Sequence, residues 1–435
     1  RRTAPPVRVA LPTYPFMRER YWIDAPPPRS ATMPAAPAGI LDTGTPRRLC
    51  FHRPAWFPSP AAAAAALPAS VLLLGADDAF ASVLGSIAPD TAWHRIDASG
   101  EVASAIAAMG AAGTLPATIV HLSTAHGSIE AALDGGVFAL HAACNALMQA
   151  RTAGPVRILC LRHDDAPVEP HAALAGYLRS LALEHPKIAW TVLSAADGRG
   201  TPALARLLVD ELRRDDRHSG EARCRPLPQA DGWIREVRRM ARFDPGAHDP
   251  ARTRIRHRGV YLITGGLGGL GHVFGRHLAS RYGARLVLTG RSPLDDTLRA
   301  RLAALEAQGA EVCYVQADMA DPAQVEAAVA EGRRRFSRID GVIHAAGVHD
   351  DALARHKTRD AMAAVLSAKV QGTLHLDQAT RSDDLDLFVL FSSVSGAFGN
   401  AGQCDYAFAN AFMDAFAATR QSRVAAGERR GLTLS

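Results

Sequence analysis

The fold is decided by residues 260–271, which read VYLITGGLGGLG. The apolar run Val260–Thr264 predicts a buried strand, and a helix-forming stretch follows the glycines. Between a strand and a helix, glycines permit a tight turn and a close approach of the backbone to a phosphate. The stretch therefore predicts a dinucleotide-binding α/β fold, with a mere tight turn as the alternative. The predicted cofactor-binding residues here are Thr264, Gly265, Gly266, Leu267, Gly268, Gly269, Leu270 and Gly271.

The end of the next predicted strand, Leu286–Thr289, indicates which dinucleotide is bound. NAD sites use an acidic residue about 20 positions on to hold the ribose 2′-hydroxyl, whereas an arginine accommodates a 2′-phosphate. This chain has Arg291 and Ser292 here and no acid, which favours NADPH; coding bias toward arginine is the alternative. Further residues predicted near the adenosine and pyrophosphate follow later strands: Asp318, Met319, Ala345, Ala346 and Gly347.

Length and composition are those of a globular protein. The chain has 435 residues, 48% hydrophobic and 21% charged, which suggests roughly two to three domains. Short apolar runs alternate with helical stretches, which predicts βαβ units and parallel sheets. The predicted fold is therefore α/β with two Rossmann-like parallel sheets, the second of them binding NADPH. In the first half, Asp77 and Asp78 follow the first strand where a phosphate loop would lie, so no cofactor is expected there.

The predicted elements fall into two sets. Strands of the first half are predicted at Ser70–Leu74, Thr118–Leu122, Val156–Cys160 and Ile188–Leu193, with helices at Gly136–Ala150, Pro170–Glu184 and Pro202–Arg214. Strands of the second half are predicted at Val260–Thr264, Leu286–Thr289, Val312–Gln316, Gly341–His344, Leu387–Phe391 and from Gly431. Before both lie a proline-rich linker, Ala25–Pro46, and an aromatic arm, Leu11–Asp24.

Several classes of function are disfavoured. No uncharged run approaches the ~20 residues that cross a bilayer, so no membrane association is expected. Six scattered cysteines indicate a reduced, cytoplasmic protein. The net charge is +6, but no basic block with interleaved aromatics indicates nucleic-acid binding. No metal-ligand cluster is present. Only three of the 49 basic residues are lysines, namely Lys187, Lys357 and Lys369.

A second constellation follows the strand Leu387–Phe391. Ser393 comes directly after the strand, and Tyr406 and Asn410 lie one helical turn apart on the next helix. Downstream of a nucleotide loop, this serine and tyrosine resemble those of short-chain dehydrogenase/reductases. That family normally has lysine four residues after tyrosine, where this chain has Asn410. In ketoreductase domains of bacterial modular type I polyketide synthases, the lysine lies upstream instead, and Lys369 stands at the matching position.

The resemblance to these ketoreductases implies a domain organisation. Residues 1–46 resemble the linker that follows an acyltransferase. Residues 47–242 resemble the structural subdomain, a truncated Rossmann-like fold without cofactor. Residues 243–435 resemble the catalytic, NADPH-binding subdomain, whose final strands and lid helix would follow Ser435. Flanking domains of the same megasynthase are implied as partners.

The resemblance also implies a reaction: reduction of a β-ketoacyl thioester carried on the phosphopantetheine of an acyl carrier protein. Tyr406 would donate the proton and Ser393 would bind the developing alkoxide. Lys369 would favour the phenolate and hold the nicotinamide ribose, while Asn410 would anchor the proton relay. The alternatives are an inactive scaffold that orders neighbouring domains, a free-standing reductase of small ketones, and metal-dependent chemistry.

The product's configuration is predicted from the same resemblance. B-type ketoreductases, which give the D-hydroxyl, carry Leu-Asp-Asp ahead of the lysine, and this chain has His349, Asp350 and Asp351. Leu390 stands where A-type enzymes have tryptophan. The sequence therefore favours the B-type outcome. The residues expected to contact substrate or control its orientation are Asp351, Leu390, Gln403 and Phe408.

Overall fold

The computed structural model describes residues 50–59, 64–98, 100–124, 127–150, 154–162, 166–195, 200–214, 219–227, 232–244, 246 and 253–435. The predicted aromatic arm and proline-rich linker lie outside the described residues. Residues from His52 to Ser435 form one compact unit that contains two sheets.

The first sheet has eight strands in the order β1-β8-β7-β6-β5-β4-β2-β3. The pairs from β3 to β7 are parallel, and β7 pairs with β8 antiparallel. Its strands are β1 Phe51–Pro58, β2 Ser70–Leu74, β3 Ala92–Ile96, β4 Thr118–Ser123, β5 Val156–Arg162, β6 Ile188–Ala195, β7 Gly220–Pro226 and β8 Trp233–Phe243. Its helices are α1 Asp78–Ile87, α2 Val102–Ala111, α3 Ile129–Leu133, α4 Ala139–Gln149, α5 Val168–Glu184 and α6 Gly200–Leu212.

The second sheet has six strands, all parallel, in the order β11-β10-β9-β12-β13-β14. Its strands are β9 Val260–Thr264, β10 Arg285–Gly290, β11 Glu311–Gln316, β12 Gly341–His344, β13 Leu387–Leu390 and β14 Leu432–Leu434. Its helices are α7 Gly269–Tyr282, α8 Asp296–Glu306, α9 Pro322–Phe336, α10 Arg359–Ala379, α11 Val394–Phe398 and α12 Cys404–Ala425. This is the Rossmann order 3-2-1-4-5-6, in which ligands bind where the order reverses, between β9 and β12.

The predicted fold class is confirmed, including the truncation of the first half. Among the described residues, the order β3-β2-β4-β5-β6 in the first sheet has no counterpart of the outer strand that β11 supplies in the second. At the start of α1, the Asp77 carboxylate accepts a hydrogen bond from the Phe80 N–H over 2.7 Å. A carboxylate therefore occupies the helix N-terminus to which a phosphate would bind in a cofactor-binding half.

The helical stretch Ile129–Gln149 is long and apolar enough to cross a membrane by length and composition alone. It runs from α3 to α4 through a π-helical turn, Asp134–Phe138, in which Gly136 has a non-helical backbone. In the folded chain, 61% of its most apolar 18-residue segment is buried. Its apolar character is therefore explained by packing in a protein core.

The two halves share one hydrophobic core. The largest buried cluster joins residues of β2, β4, α4 and α5 with residues of β9, α10 and α12. Helix α5 packs closely on α12 because Gly176 has no side chain: a Cβ atom there would lie 2.9 Å from the Cβ of Ala411 and would overlap the carbonyl of Ala407. The helix that carries Tyr406 therefore rests directly on the first half.

Candidate active site

The glycine loop forms an anion cradle at the carboxyl end of β9. Gly265 has a positive φ of 61°, and its carbonyl accepts a hydrogen bond from the Gly268 N–H over 2.9 Å. A Cβ at Gly265 would lie 3.1 Å from the carbonyl oxygen of Ala345, whereas a Cβ at Gly269 would meet open space. Gly268 caps α7 without a side-chain hydrogen bond, which leaves the first N–H groups of the helix available to a phosphate. The loop therefore fits a dinucleotide pyrophosphate.

Behind the loop, a buried histidine fixes the neighbouring strand end. His344 lies at the end of β12, and burial, with the nearby Lys369 charge, lowers its pKa to about 3. In the neutral ring, Nε2 donates to the Ala368 carbonyl over 3.0 Å, so Nδ1 accepts from the Thr264 hydroxyl over 2.6 Å. The Thr264 oxygen in turn accepts from the Ala346 N–H over 3.2 Å. These bonds hold the residues predicted to pass under the cofactor.

Arg291 and Ser292, the residues predicted to bind a 2′-phosphate, lie exposed after β10. Their carbonyls accept hydrogen bonds from Gln316 Nε2 over 2.9 Å and from the Tyr314 hydroxyl over 2.6 Å. Within the described ranges no carboxylate pairs with the Arg291 guanidinium. This edge therefore presents a fixed backbone and an available cation.

The two residues predicted to lie near the adenine of the cofactor differ in how exposed they are. Asp318 is partly exposed, and its carboxylate accepts from the Ala320 N–H over 2.9 Å. Met319 is only 3% exposed, and the Thr289 hydroxyl is directed at its sulfur. Asp318 can reach a ligand at the sheet edge, whereas Met319 supports this edge from within the core.

Lys369 and Tyr406 are brought together from different helices. Lys369 lies on α10, and its Nζ is 5.4 Å from the centroid of the Tyr406 ring in the first turn of α12. The ammonium donates to the Phe391 carbonyl over 2.8 Å, and the residue as a whole is 4% exposed. Burial lowers the pKa of Lys369 to about 8, which the Asp414 carboxylate opposes. A cation therefore lies beside the phenol, and its charge can be lost near neutral pH.

Ser393 and Asn410, the remaining predicted catalytic residues, lie near the end of β13, where the Ser392 hydroxyl donates to the Asn410 carbonyl over 3.3 Å. Ser393 precedes α11, and its hydroxyl accepts from the Ser395 N–H over 3.2 Å. Asn410 is fully buried, and its Nδ2 donates to the Tyr406 carbonyl over 2.7 Å. Its Oδ1 is buried and has no hydrogen-bond partner in the part of the chain that the structure describes. An oriented acceptor of this kind fits a proton relay.

Gly347 connects the cofactor loop with the catalytic lysine. A Cβ at this position would lie 3.0 Å from Cε of Lys369. The lysine side chain therefore passes directly over the backbone that is predicted to lie beneath the cofactor.

The four residues predicted for substrate control divide into two pairs. Gln403 Nε2 donates to both carboxylate oxygens of Asp351, over 3.0 and 2.9 Å, at the open side of the site. Leu390 and Phe408 are 1% and 0% exposed and belong to the main hydrophobic core. They support β13 and α12 from behind, so their contacts are with the core.

Sequence reasoning missed three side chains that hold the site. Lys357 and Asp405 form an ion pair of 2.7 Å whose side chains are 0% and 1% exposed, and Asp405 directly precedes Tyr406. Glu184, at the end of α5, accepts from the backbone N–H groups of Ala354 and Gly402 over 2.8 and 2.9 Å. The scarcity of lysine was a usable signal for Lys357, whereas no local pattern marks Glu184.

The His349 ring also lies at this site. Its centroid is 4.7 Å from that of the Tyr406 ring, with the planes tilted by 37°. Among the described residues, no group of three or more histidine, cysteine, aspartate or glutamate side chains could hold a metal ion.

Comparisons with known proteins agree with this geometry. Residues 259–428 match a family model described as KR domain, and residues 96–213 match one described as beta-ketoacyl synthase-like, N-terminal. Polyketide synthase PksL of Bacillus subtilis (strain 168) is 36% identical over 310 residues, which are 71% of this chain and 7% of that protein. The chain spans about a tenth or less of the length of the curated relatives PksL and PksM of Bacillus subtilis (strain 168).

Solved structures are similar over most of the chain. An N-terminal ketoreductase from the macrolactin assembly line has a TM-score of 0.75 and 25% identity, covering 87% of this chain and 81% of that one. An A-type ketoreductase from a modular polyketide synthase has a TM-score of 0.69 and 29% identity, covering 88% and 82%.

Fold, site and family match together define a ketoreductase of the short-chain dehydrogenase/reductase type, a class that uses nicotinamide cofactors. Residues 259–428 belong to the KR domain family, the two halves pack as one unit, and the curated relatives of the chain are polyketide synthases. The resemblance indicated by the serine, the tyrosine and the displaced lysine is confirmed.

Proposed function

We propose that this domain uses NADPH to reduce a β-ketoacyl thioester, carried on the phosphopantetheine of an acyl carrier protein, to the β-hydroxyacyl thioester. The observation that carries this proposal is the approach of Lys369 to Tyr406 beside the phosphate cradle of β9. We further propose that the domain works in the cytoplasm among the flanking domains of a megasynthase. Residues 1–46 would be its linker, 47–242 its structural part and 243–435 its catalytic part.

The protein's own groups would manage the proton and the charge of the reaction. The bound cofactor would supply the hydride to the carbonyl carbon. The Tyr406 phenol would donate its proton to the carbonyl oxygen while the Ser393 hydroxyl donates a hydrogen bond to the developing alkoxide. The Lys369 ammonium stabilises the phenolate that remains, because an adjacent cation favours the charged form. Asn410 Oδ1 would hold the relay that returns a proton to the tyrosine.

NADPH is favoured over NADH by the residues that follow β10. A 2′-phosphate is held by guanidinium groups through bidentate hydrogen bonds. Arg291 is exposed here and has no carboxylate partner within the described ranges, and Ser292 lies next to it. A ribose 2′-hydroxyl would instead call for an acidic residue at this place.

We propose the B-type, D-configured product. Asp350 and Asp351 lie on the loop beside Tyr406, and Gln403 binds the Asp351 carboxylate. Leu390, at the position of the A-type tryptophan, is part of the core. One similar structure is described as A-type, so similarity of the fold does not distinguish A-type from B-type reduction. The proposed configuration therefore rests on the loop residues.

The test is a reduction assay on the full chain with its neighbouring carrier protein. NADPH and a β-ketoacyl thioester are supplied, cofactor absorbance is followed, and the product alcohol is resolved on a chiral column. We expect consumption of NADPH that is lost in the Tyr406→Phe variant, and a D-alcohol. Cofactor binding without any reduction would favour the inactive scaffold, and an L-alcohol would overturn the B-type assignment alone.

A further inference from the structure

One of the three lysines has a place in the fold that the catalytic scheme does not use. Lys187 is exposed and Lys369 belongs to the catalytic group. Lys357 follows a short 3₁₀ turn, Ala354–His356, and its side chain is completely buried. A buried ammonium requires compensation by specific partners.

The partners of Lys357 belong to the two segments that flank the reacting centre. Its Nζ donates to Asp405 Oδ2 over 2.7 Å and to the backbone carbonyl of Asp350. The other carboxylate oxygen of Asp405 accepts from the N–H of Tyr406 over 2.8 Å. A single ammonium therefore joins the backbone at the proton donor to the loop 347–357.

The loop tied in this way carries the residues that lie against the tyrosine. His349, one residue before Asp350, packs its ring against Tyr406. Asp351, one residue after, accepts from Gln403. Movement at Asp350 would therefore displace the residues beside the phenol on the open side of the site.

Stability alone does not account for a pair buried this deeply. Removing both charges from water costs about as much as their attraction returns, and apolar pairs of similar volume are often no less stable. A buried pair can instead fix one geometry among several. Burial also raises the pKa of Asp405, against the effect of the Lys357 ammonium, so the pair is held at some cost.

We propose that Lys357 and Asp405 are positioning residues that fix the loop 347–357 against the first turn of α12 and thereby orient Tyr406 toward the substrate. This inference rests on the proposed ketoreduction. A misplacement of about 1 Å in a catalytic group can lower turnover by on the order of a hundredfold.

The test uses the double variant Lys357→Met/Asp405→Asn, because either single variant leaves an uncompensated buried charge and can fail to fold. The control is Arg420→Met, which removes another buried cation on α12 far from Tyr406; its partner Asp377 keeps an ion pair with Arg429 at 3.1 Å, so no buried charge is left unpaired. Measurements are the melting temperature, NADPH affinity by fluorescence, kcat and KM, the ratio of product stereoisomers, and hydrogen exchange of segments 347–357 and 402–408.

We expect the double variant to fold and to bind NADPH within about twofold of the wild type. Its kcat should fall by on the order of tenfold to a hundredfold, with a more mixed product and faster exchange in both segments. The control should melt earlier but keep its kcat and its product ratio. Wild-type kcat, product ratio and exchange in the folded double variant would overturn the proposal.

The exchange measurement separates this proposal from the proposed function. If the wild-type protein reduced no thioester, the ketoreduction would be wrong, and the protection of the two segments would still decide whether the pair anchors them. Unchanged exchange in the double variant would overturn the anchoring by itself.

Discussion

At the scale of single residues, Lys369 shows how burial can shift a pKa toward the working pH and oppose stability at the same time. Its pKa is lowered to about 8 by burial, whereas an unfolded lysine titrates near pH ~10.4. Between these values the unfolded chain binds more protons than the folded chain, so a rise in pH through this window stabilises the fold. At neutral pH the charged ammonium therefore destabilises the protein, although the proposed reaction requires it beside Tyr406.

The first prediction replaces Lys369 by methionine. Turnover should fall by on the order of a hundredfold or more, because a cation beside an acid–base group contributes on that scale. The melting temperature should change by only a few degrees. The variant no longer buries a charge, and this gain offsets the loss of the hydrogen bond to the Phe391 carbonyl. Turnover and thermal melting are measured side by side. The exposed lysine offers a matched control, since Lys187→Met should alter neither quantity.

The second prediction concerns pH. Because the ammonium is charged below its pKa, kcat/KM for reduction should fall as the pH rises through about 8. The profile is measured with saturating NADPH across this range. A rate that stays constant to pH ~10, the ordinary range of lysine and tyrosine, would contradict a role for the buried ammonium.

The third prediction concerns Arg291. Arg291→Ala should weaken NADPH binding by about tenfold, in line with a charge-assisted hydrogen bond of about 1.5 kcal/mol, and leave NADH affinity unchanged. Fluorescence titration with both cofactors measures this. Arg299, an exposed arginine that pairs with Asp296 on α8, is the control, and Arg299→Ala should leave both affinities as they were. Equal losses for the two cofactors in Arg291→Ala would argue against 2′-phosphate binding.

The candidate catalytic residues could be singled out from the sequence because short, fixed spacings connect them. Ser393, Tyr406 and Asn410 follow one strand, and Lys369 is conspicuous in a chain with few lysines. The pair Lys357–Asp405 could not be predicted, because its members lie 48 residues apart and only tertiary packing brings them together. The burial of Leu390 and Phe408 was equally invisible, because the motif gives a position but not the direction of a side chain.

At the scale of elements, the contact of α5 with α12 supports the site. The fourth prediction is that Gly176→Ala lowers stability by about 1–3 kcal/mol, as overpacking does, and lowers kcat because the added methyl displaces Ala407, next to Tyr406. Urea unfolding and turnover measure the two effects.

The matched control for this substitution is Gly85→Ala in α1. A Cβ at Gly85 meets nothing within 4 Å, so the variant should gain about 0.5–1 kcal/mol from helix propensity and keep its turnover. If Gly176→Ala behaved like this control, the close approach of the two helices would be wrong.

Strands with a continuous apolar run were predictable, including the half-exposed β11 (EVCYVQ), whereas strands without such a run were not. Strand β2 reads SVLLL and is buried after its first residue, and β9 is buried throughout. Strand β3 reads AWHRI with no fully buried residue, and β8 carries four arginines among its 11 residues. The β3 sequence lacks the continuous apolar run by which a parallel strand is recognised, and β8 is an antiparallel strand whose arginines interrupt any such run.

At the scale of the whole molecule, each half contains a histidine kept neutral by burial. His171 on α5 bonds to the Ser123 hydroxyl over 2.9 Å and the Leu193 carbonyl over 3.1 Å, and burial lowers its pKa to about 3. His344 has the same shift in the second half. An unfolded histidine takes up its proton near pH ~6.5, so the unfolded chain gains protons first as the pH falls.

The fifth prediction is therefore acid instability. The stability due to the neutral rings is fully present above pH ~6.5 and is lost as the pH falls toward the folded values, by about 2–3 kcal/mol per histidine at pH 4.5. The denaturant midpoint, measured above pH ~6.5 and again at pH ~4.5, gives this loss of stability. His171→Gln should reduce it, whereas replacement of the exposed His52 on β1 should not. An equal loss in all three proteins would exclude His171 as a cause.

The hydrogen bonds of Glu184 have a consequence for recombination between synthases. The carboxylate at the end of α5 holds the backbone of both loops that flank Tyr406. Gly176 allows α5 to pack closely against α12, the helix that carries the tyrosine. A chimera that imports only residues 243–435 would receive every reacting group and lose the surface against which those groups are aligned. Exchange between synthases should therefore take residues 52–435 from one parent, with no junction inside them.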